Sequence, residues 1–133
     1  MVNYIRVESR ARNELVDITG QVRELVDKSG VSSGVCRLFS MHTTGAITVN
    51  EGADPAVRSD IACFLSKLVP VDGPFSHGEG NSDAHVKTSL VGPSETILIE
   101  GGRLLLGTWQ AVFFCEFDGP RSRKVAVRIA SDD

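Results

Sequence analysis

The second half of the chain is a run of apolar, β-branched segments cut by short turns, and that run limits the fold more than any other feature. Thr96 to Glu100, Leu104 to Leu106, Thr108 to Phe117 and Val125 to Ala130 read as strands, with Gly101-Gly102 and Asp118-Gly119-Pro120 as turns between them. Turns this short cannot hold a crossover, so neighbouring strands are expected to be antiparallel. Tyr4 to Glu8, which alternates Ile5 and Val7 with polar residues, is a further strand, and so are Gly34 to Ser40 and Ala46 to Asn50. The helices announce themselves by their ends. Val22, Leu25 and Val26 fall on one face of a helix that starts near Thr19 and stops at Gly30, where a glycine can take the left-handed C-terminal conformation. Asp54-Pro55 is the clearest local signal: Asp accepts the orphan N–H groups of a first turn, and Pro lacks an N–H where none is needed. Val57, Ile61, Phe64, Leu65 and Leu68 follow at helical spacing up to Pro70. A shorter helix runs from Ser82 to Val91 and is closed by Gly92-Pro93. The class is α+β: a mostly antiparallel or mixed sheet covered by two or three helices.

With 133 residues, the chain reads as a single domain, 1–133. Seventeen Asp and Glu against 14 Lys and Arg give a net charge of −3, which disfavours a nucleic-acid partner bound through a basic surface. No apolar run reaches the roughly 20 residues of a membrane span, and Met1 to Arg6 does not resemble a signal peptide. The expectation is a soluble, cytoplasmic protein with no membrane partner. The three cysteines, Cys36, Cys63 and Cys115, are widely spaced and form no Cys-x-x-Cys pair. They read as reduced core thiols, Cys63 on the apolar side of its helix; the alternative is a nucleophilic Cys36 beside His42.

The chemistry-bearing residues concentrate in polar, turn-like segments. His42 ends a strand and precedes Thr43-Thr44-Gly45; His77 lies in the Gly-rich loop from Pro70 to Asn81; His85 stands near the start of the third helix. Three imidazoles converging on a cleft would bind a first-row metal and leave a position open. Their spacing does not force convergence, so separate surface histidines are the competing reading. Glu51 has no local structural role and could orient a histidine or act as a base, whereas Asp54 reads as the helix cap and Asp83 as a first-turn acid. Glu116 and Asp118 precede Arg121, Arg123 and Lys124. That stretch is either a hairpin with cross-strand ion pairs or a place where Arg121 or Arg123 grips a phosphate or carboxylate. Trp109 is a core anchor or a stacking platform, and the amide of Gln110 could hold a polar substrate. No nucleophilic-serine, Walker or dinucleotide fingerprint is present.

Taken together, His42-Thr43-Thr44-Gly45, Asn50-Glu51, Asp54-Pro55, His77 and Asn81 to His85 resemble the YjbQ family. The closer match is in Ser94 to Gly102, Arg103 to Gln110 and Glu116 to Arg121. The resemblance implies a compact α+β fold, a homotrimer, and a polar cleft near a subunit boundary. It implies a weak secondary thiamine-phosphate synthase activity, and thus a transferase joining small phosphorylated heterocycles. A divalent metal, zinc or magnesium, is implied by analogy, with His42, His77 and His85 as ligands. Carried onto this sequence, Glu51, His42 and Glu116 become the expected catalytic residues. Asn50, Asn81, Trp109, Gln110 and Arg121 become the expected substrate contacts. The alternative expectation is a non-catalytic, metal- or metabolite-binding homotrimer. A diphosphate substrate normally meets several cations or a glycine-rich cradle. Here the candidates are Arg121, Arg123 and Arg58, helped by helix N-termini.

Overall fold

The computed structural model describes residues 1–133. In chain order the elements are β1 (Val2–Glu8), β2 (Glu14–Asp17), α1 (Thr19–Ser29), β3 (Gly34–Ser40), β4 (Gly45–Glu51), α2 (Pro55–Leu68), α3 (Ser82–Val91), β5 (Ser94–Glu100), β6 (Arg103–Leu104), β7 (Gln110–Glu116) and β8 (Ser122–Ser131). All strand pairs are antiparallel, as the short turns require. The strands divide between two sheets, where the sequence suggested one. β1-β8-β3-β5-β6 form the larger and β2-β7-β4 the smaller.

The division follows from burial. Ile5 and Val7 of β1, Cys36 and Leu38 of β3, Ile97 and Ile99 of β5, and Val125 and Val127 of β8 turn one face of the larger sheet inward. They meet Ile47, Val112 and Phe114 of the smaller sheet and Val22 and Val26 of α1. The smaller sheet is buried on both faces, so its central strand β7 is a continuous apolar run, Ala111 to Cys115, instead of an alternating one. Its second face carries Leu15, Ala46, Phe113 and Cys115, against Ile61 and Leu65 of α2 and Ala84 of α3. The layers are therefore larger sheet, smaller sheet, helices. The larger sheet's outer face is left to Tyr4, Arg6, Lys124 and their neighbours, which alternate with the buried residues.

The helix ends match the sequence signals. Gly30 closes α1 at φ 68°, and the Asp54 side chain accepts from the Ala56 N–H at the start of α2. Two local expectations change. Strand β2 was not foreseen, because only Leu15 and Val16 are apolar between Glu14 and Asp17. Cys63 is exposed, since α2 rests lightly on the sheet and buries no residue completely.

β7 and β8 follow one another but are not a hairpin. The chain leaves the smaller sheet at Glu116, turns through Phe117 to Arg121, and enters the larger sheet at Ser122. This passage between sheets, together with the β3–β4 turn and the loop before α3, builds the candidate site.

Candidate functional site

The anchor of the site is a buried ion pair across the seam between the sheets. Glu116 is fully buried, and Arg123 lies almost as deep. Arg123 Nε donates to Glu116 Oε1 at 2.8 Å, and its terminal NH2 nitrogen donates to Glu116 Oε2. The same guanidinium donates to the carbonyl and hydroxyl oxygens of Thr44, fixing the β3–β4 turn. Ser9 Oγ donates to Glu116 Oε1 at 2.7 Å, and the Asp118 N–H donates to Oε2 at 2.9 Å. Burial alone would raise the Glu116 carboxyl; these donors and the Arg123 charge outweigh it and hold it below the ordinary carboxylate range. Glu116 was expected among the catalytic residues. Its oxygens are spent on protein donors out of reach of solvent, so its work is to position Arg123, Ser9 and the turn.

A second charged network holds the first turn of α3. Asp83 and Lys87 are both buried and pair at 3.0 Å, and Lys87 also donates to Asn13 Oδ1. Arg12 bridges outward from Asp83 (2.9 Å) to Asp118 (3.2 Å). Asp118 in turn accepts from Asn81 Nδ2 at 2.8 Å and from Arg121 at 3.1 Å. The first turn of α3, with His85, is thus tied to the turn that carries Arg121.

Between these networks lies a hollow of about 450 Å³, open to solvent, which receives Thr43, Thr44, His42, His77, Glu79, Asn81, His85, Asp118 and Arg121. All three histidines reach it. His77 and His85 stand edge to face with ring centres 5.5 Å apart, and Glu79 lies 3.8 Å from His77 Nε2. His42 is held differently: its Nε2 accepts the Lys124 N–H at 2.9 Å, which places its proton on Nδ1. Burial, then the nearby Arg123 charge, keeps the His42 imidazole neutral further into acid than usual, against an opposing pull from Glu116.

His77 and His85 are the two imidazoles near enough to share an ion, but their perpendicular rings stand in an ordinary edge-to-face contact. His42 does not complete the set, because its lone-pair nitrogen is engaged by Lys124. No three His, Cys, Asp or Glu side chains gather tightly enough to enclose an ion. The three-histidine centre expected from the sequence is not assembled within one chain, and His77 and His85 are the pair left near one another.

The remaining expected residues are elsewhere. Glu51 pairs with Gln110 at the opposite end of β4 and β7 from Gly45 and Glu116, six residues and about 20 Å away. There the Glu51 carboxylate accepts from the Asp54 N–H, Asn50 Oδ1 accepts from the Glu51 N–H, and the Gln110 amide oxygen accepts from the Gly107 N–H. Trp109 is 65% exposed at this end, not a core anchor. One chain therefore gathers His42, His77, His85, Asn81 and Arg121, and leaves Asn50, Glu51, Trp109 and Gln110 apart. Arg58 lies over the Phe113 ring, outside the hollow. The nucleophilic reading of Cys36 also fails: its sulfur faces the core, and burial pushes the thiol up to about 11. Cys115, likewise buried, is pushed up to about 12. The sequence reading missed Glu79 and the tethering role of Asp118. The Gly-rich loop holding His77 was the available signal for Glu79.

A family model described as UPF0047 protein YjbQ-like matches residues 3–132. The chain belongs to the YjbQ-like UPF0047 family. A UPF0047 protein of Methanocaldococcus jannaschii is 51% identical over 132 residues, covering 99% of this chain and 96% of the relative. UPF0047 protein YugU of Bacillus subtilis is 40% identical over 130 residues, 97% of this chain and 98% of its own. Among solved structures, a YjbQ/UPF0047 protein from Clostridium acetobutylicum superimposes with a TM-score of 0.94 at 49% identity, covering 96% of this chain and 99% of that one. One from Sulfolobus solfataricus gives 0.95 at 33% identity, over 99% and 97%. These YjbQ-like relatives fix family and fold; the chemistry rests on the cleft's own residues.

Proposed function

We propose that this cleft binds and transforms a small phosphorylated heterocyclic metabolite, as a transferase with thiamine-phosphate synthase side activity. One observation supports the reading above the rest: three imidazoles, an amide, two guanidiniums and two carboxylates from separate chain segments line one solvent-open hollow. Arg121, steadied by Asp118, is placed to take a phosphate. The positive N-terminal end of α3 favours the same charge. His77 and His85 are the imidazoles placed to give or take a proton in the hollow. His42, neutral and with its proton on Nδ1, donates a hydrogen bond and does not act as a base. In the thiamine-phosphate reaction a ring nitrogen bonds to a methylene carbon, while the carbon–oxygen bond breaks and pyrophosphate leaves with the electron pair. Arg121 steadies that departing charge. A divalent ion, zinc or magnesium, held by His77 and His85, would add electrostatic stabilisation of the leaving group.

The far-end group, with Glu51 as candidate base and Asn50, Trp109 and Gln110 as contacts, joins this chemistry when a neighbouring copy presents it. A cytoplasmic homotrimer is the assembly we propose for that purpose. The test is steady-state pyrophosphate release from the paired thiamine precursors. Arg121→Ala is expected to raise KM about tenfold or more, and His85→Ala to lower kcat. Unchanged kinetics in both variants would sink the reading. A second reading, a non-catalytic metabolite-binding trimer, draws on the fact that Glu116 and Asp118 spend their oxygens on protein donors. Calorimetric binding of pyrophosphate without turnover would favour it.

A further inference from the structure

His42 and Arg123 line a second hollow, of about 470 Å³, whose other walls are Tyr4, Arg6, Ser122 and Lys124. It opens on the outer face of the larger sheet, and no carboxylate lines it. Arg6 and Lys124 sit directly opposite one another in the β1–β8 pair. Like charges in that position destabilise a sheet, and within one chain no element covers them. Two of the cations here are already compensated. Arg6 pairs with Glu8 at 3.0 Å, and Arg123 with Glu116. Lys124 is in no ion pair; its ammonium stands 5.1 Å from the centre of the half-exposed Tyr4 ring. An ammonium held over an aromatic face by a cation–π contact, with no carboxylate partner, presents a cation and a ring edge together to a planar ring that carries an anion.

From this arrangement we infer that the Tyr4–Arg6–Lys124 hollow is a second ligand subsite, taking the phosphate of an aromatic phosphate, with His42 as the wall shared with the first hollow. The Tyr4 edge packs against the ring, and Lys124, over the Tyr4 face, meets the phosphate. The inference deepens the proposed function and rests on it only for the first phosphate: two adjoining subsites let two phosphorylated reactants, or the two ends of one, lie either side of an imidazole.

The experiment is an amide NMR titration of the full chain with phenyl phosphate and with inorganic phosphate. Two sets of shifts are expected, one at Tyr4, Arg6 and Ser122, the other at Thr43, Asn81 and His85; His42 borders both and is not counted. Lys124→Gln should weaken the first set about fivefold and spare the second. Tyr4→Ala should erase the preference for phenyl phosphate over inorganic phosphate at the first set. Both side chains are exposed, so neither change threatens the fold. An unmoved first set, or one that Lys124→Gln leaves at full affinity, overturns the inference. Shifts confined to the second set remove the subsite and spare the proposed function. Shifts confined to the first do the reverse.

Discussion

Glu116 shows how one residue can be essential to a site without touching a ligand. It gathers Ser9, Arg123 and the Asp118 N–H, so removing its charge leaves Arg123 buried without compensation. Glu116→Gln is expected to cost about 3–5 kcal/mol, read as a lower urea midpoint. Because its folded carboxyl is held low, the Glu116 contribution is complete above the ordinary carboxylate range and is lost as pH falls through the folded value. The variant should therefore show a flatter acid limb. His42 acts in a higher window. Its folded imidazole is lowered from 6.5, so below that value the unfolded chain binds more protons and stability falls with pH. His42→Gln should reduce the loss of stability between about pH 7 and 5, measured by denaturant titration at each pH.

Among the elements, the β3–β4 turn is the one that places His42. A Cβ on Gly45 would lie 2.3 Å from the Phe114 ring, which is fixed in the core. Gly45→Ala is expected to destabilise by about 1–3 kcal/mol and to displace His42, visible as altered His42 side-chain NMR signals. The element scale is also where the sequence was most legible. Asp54-Pro55, Gly30 and Gly92 mark helix ends chemically, and β3 and α3 occupy the expected residues. Strand β2 escaped because two apolar residues make no period. The split into two sheets escaped because pairing partners are chosen over long sequence distances; Val2 of β1, for example, pairs with Arg128 of β8. The polar turns holding the histidines were readable, and so was the loop that brings His77 and Glu79 to the hollow. That His42's nitrogen is occupied by a backbone N–H was not, since it depends on where Lys124 lands.

At the scale of the whole molecule, the separation of the two residue groups has an experimental consequence. If the far end of one copy faces the hollow of another, mixing two defective chains restores complete sites. Glu51→Ala and His85→Ala chains, unfolded and refolded together, should recover part of the activity that each lacks alone, with trimer mass confirmed by sedimentation. Recovery no greater than the sum of the separate variants would show that the groups do not cooperate across copies. No helix here is long and apolar enough to cross a membrane.

The position of β8 has a different consequence. It is the last strand in chain order, yet it lies between β1 and β3. During synthesis the earliest strand emerges with its partner still unmade, and β1 and β3 have no hydrogen bonds to each other that could hold the place. The larger sheet, and with it Arg123 and both hollows, closes only after β8 has left the ribosome. Nascent chains stalled before Ser122 should expose β1 and be open to protease. Emergence of β8 should be the event that brings protection and ligand binding together.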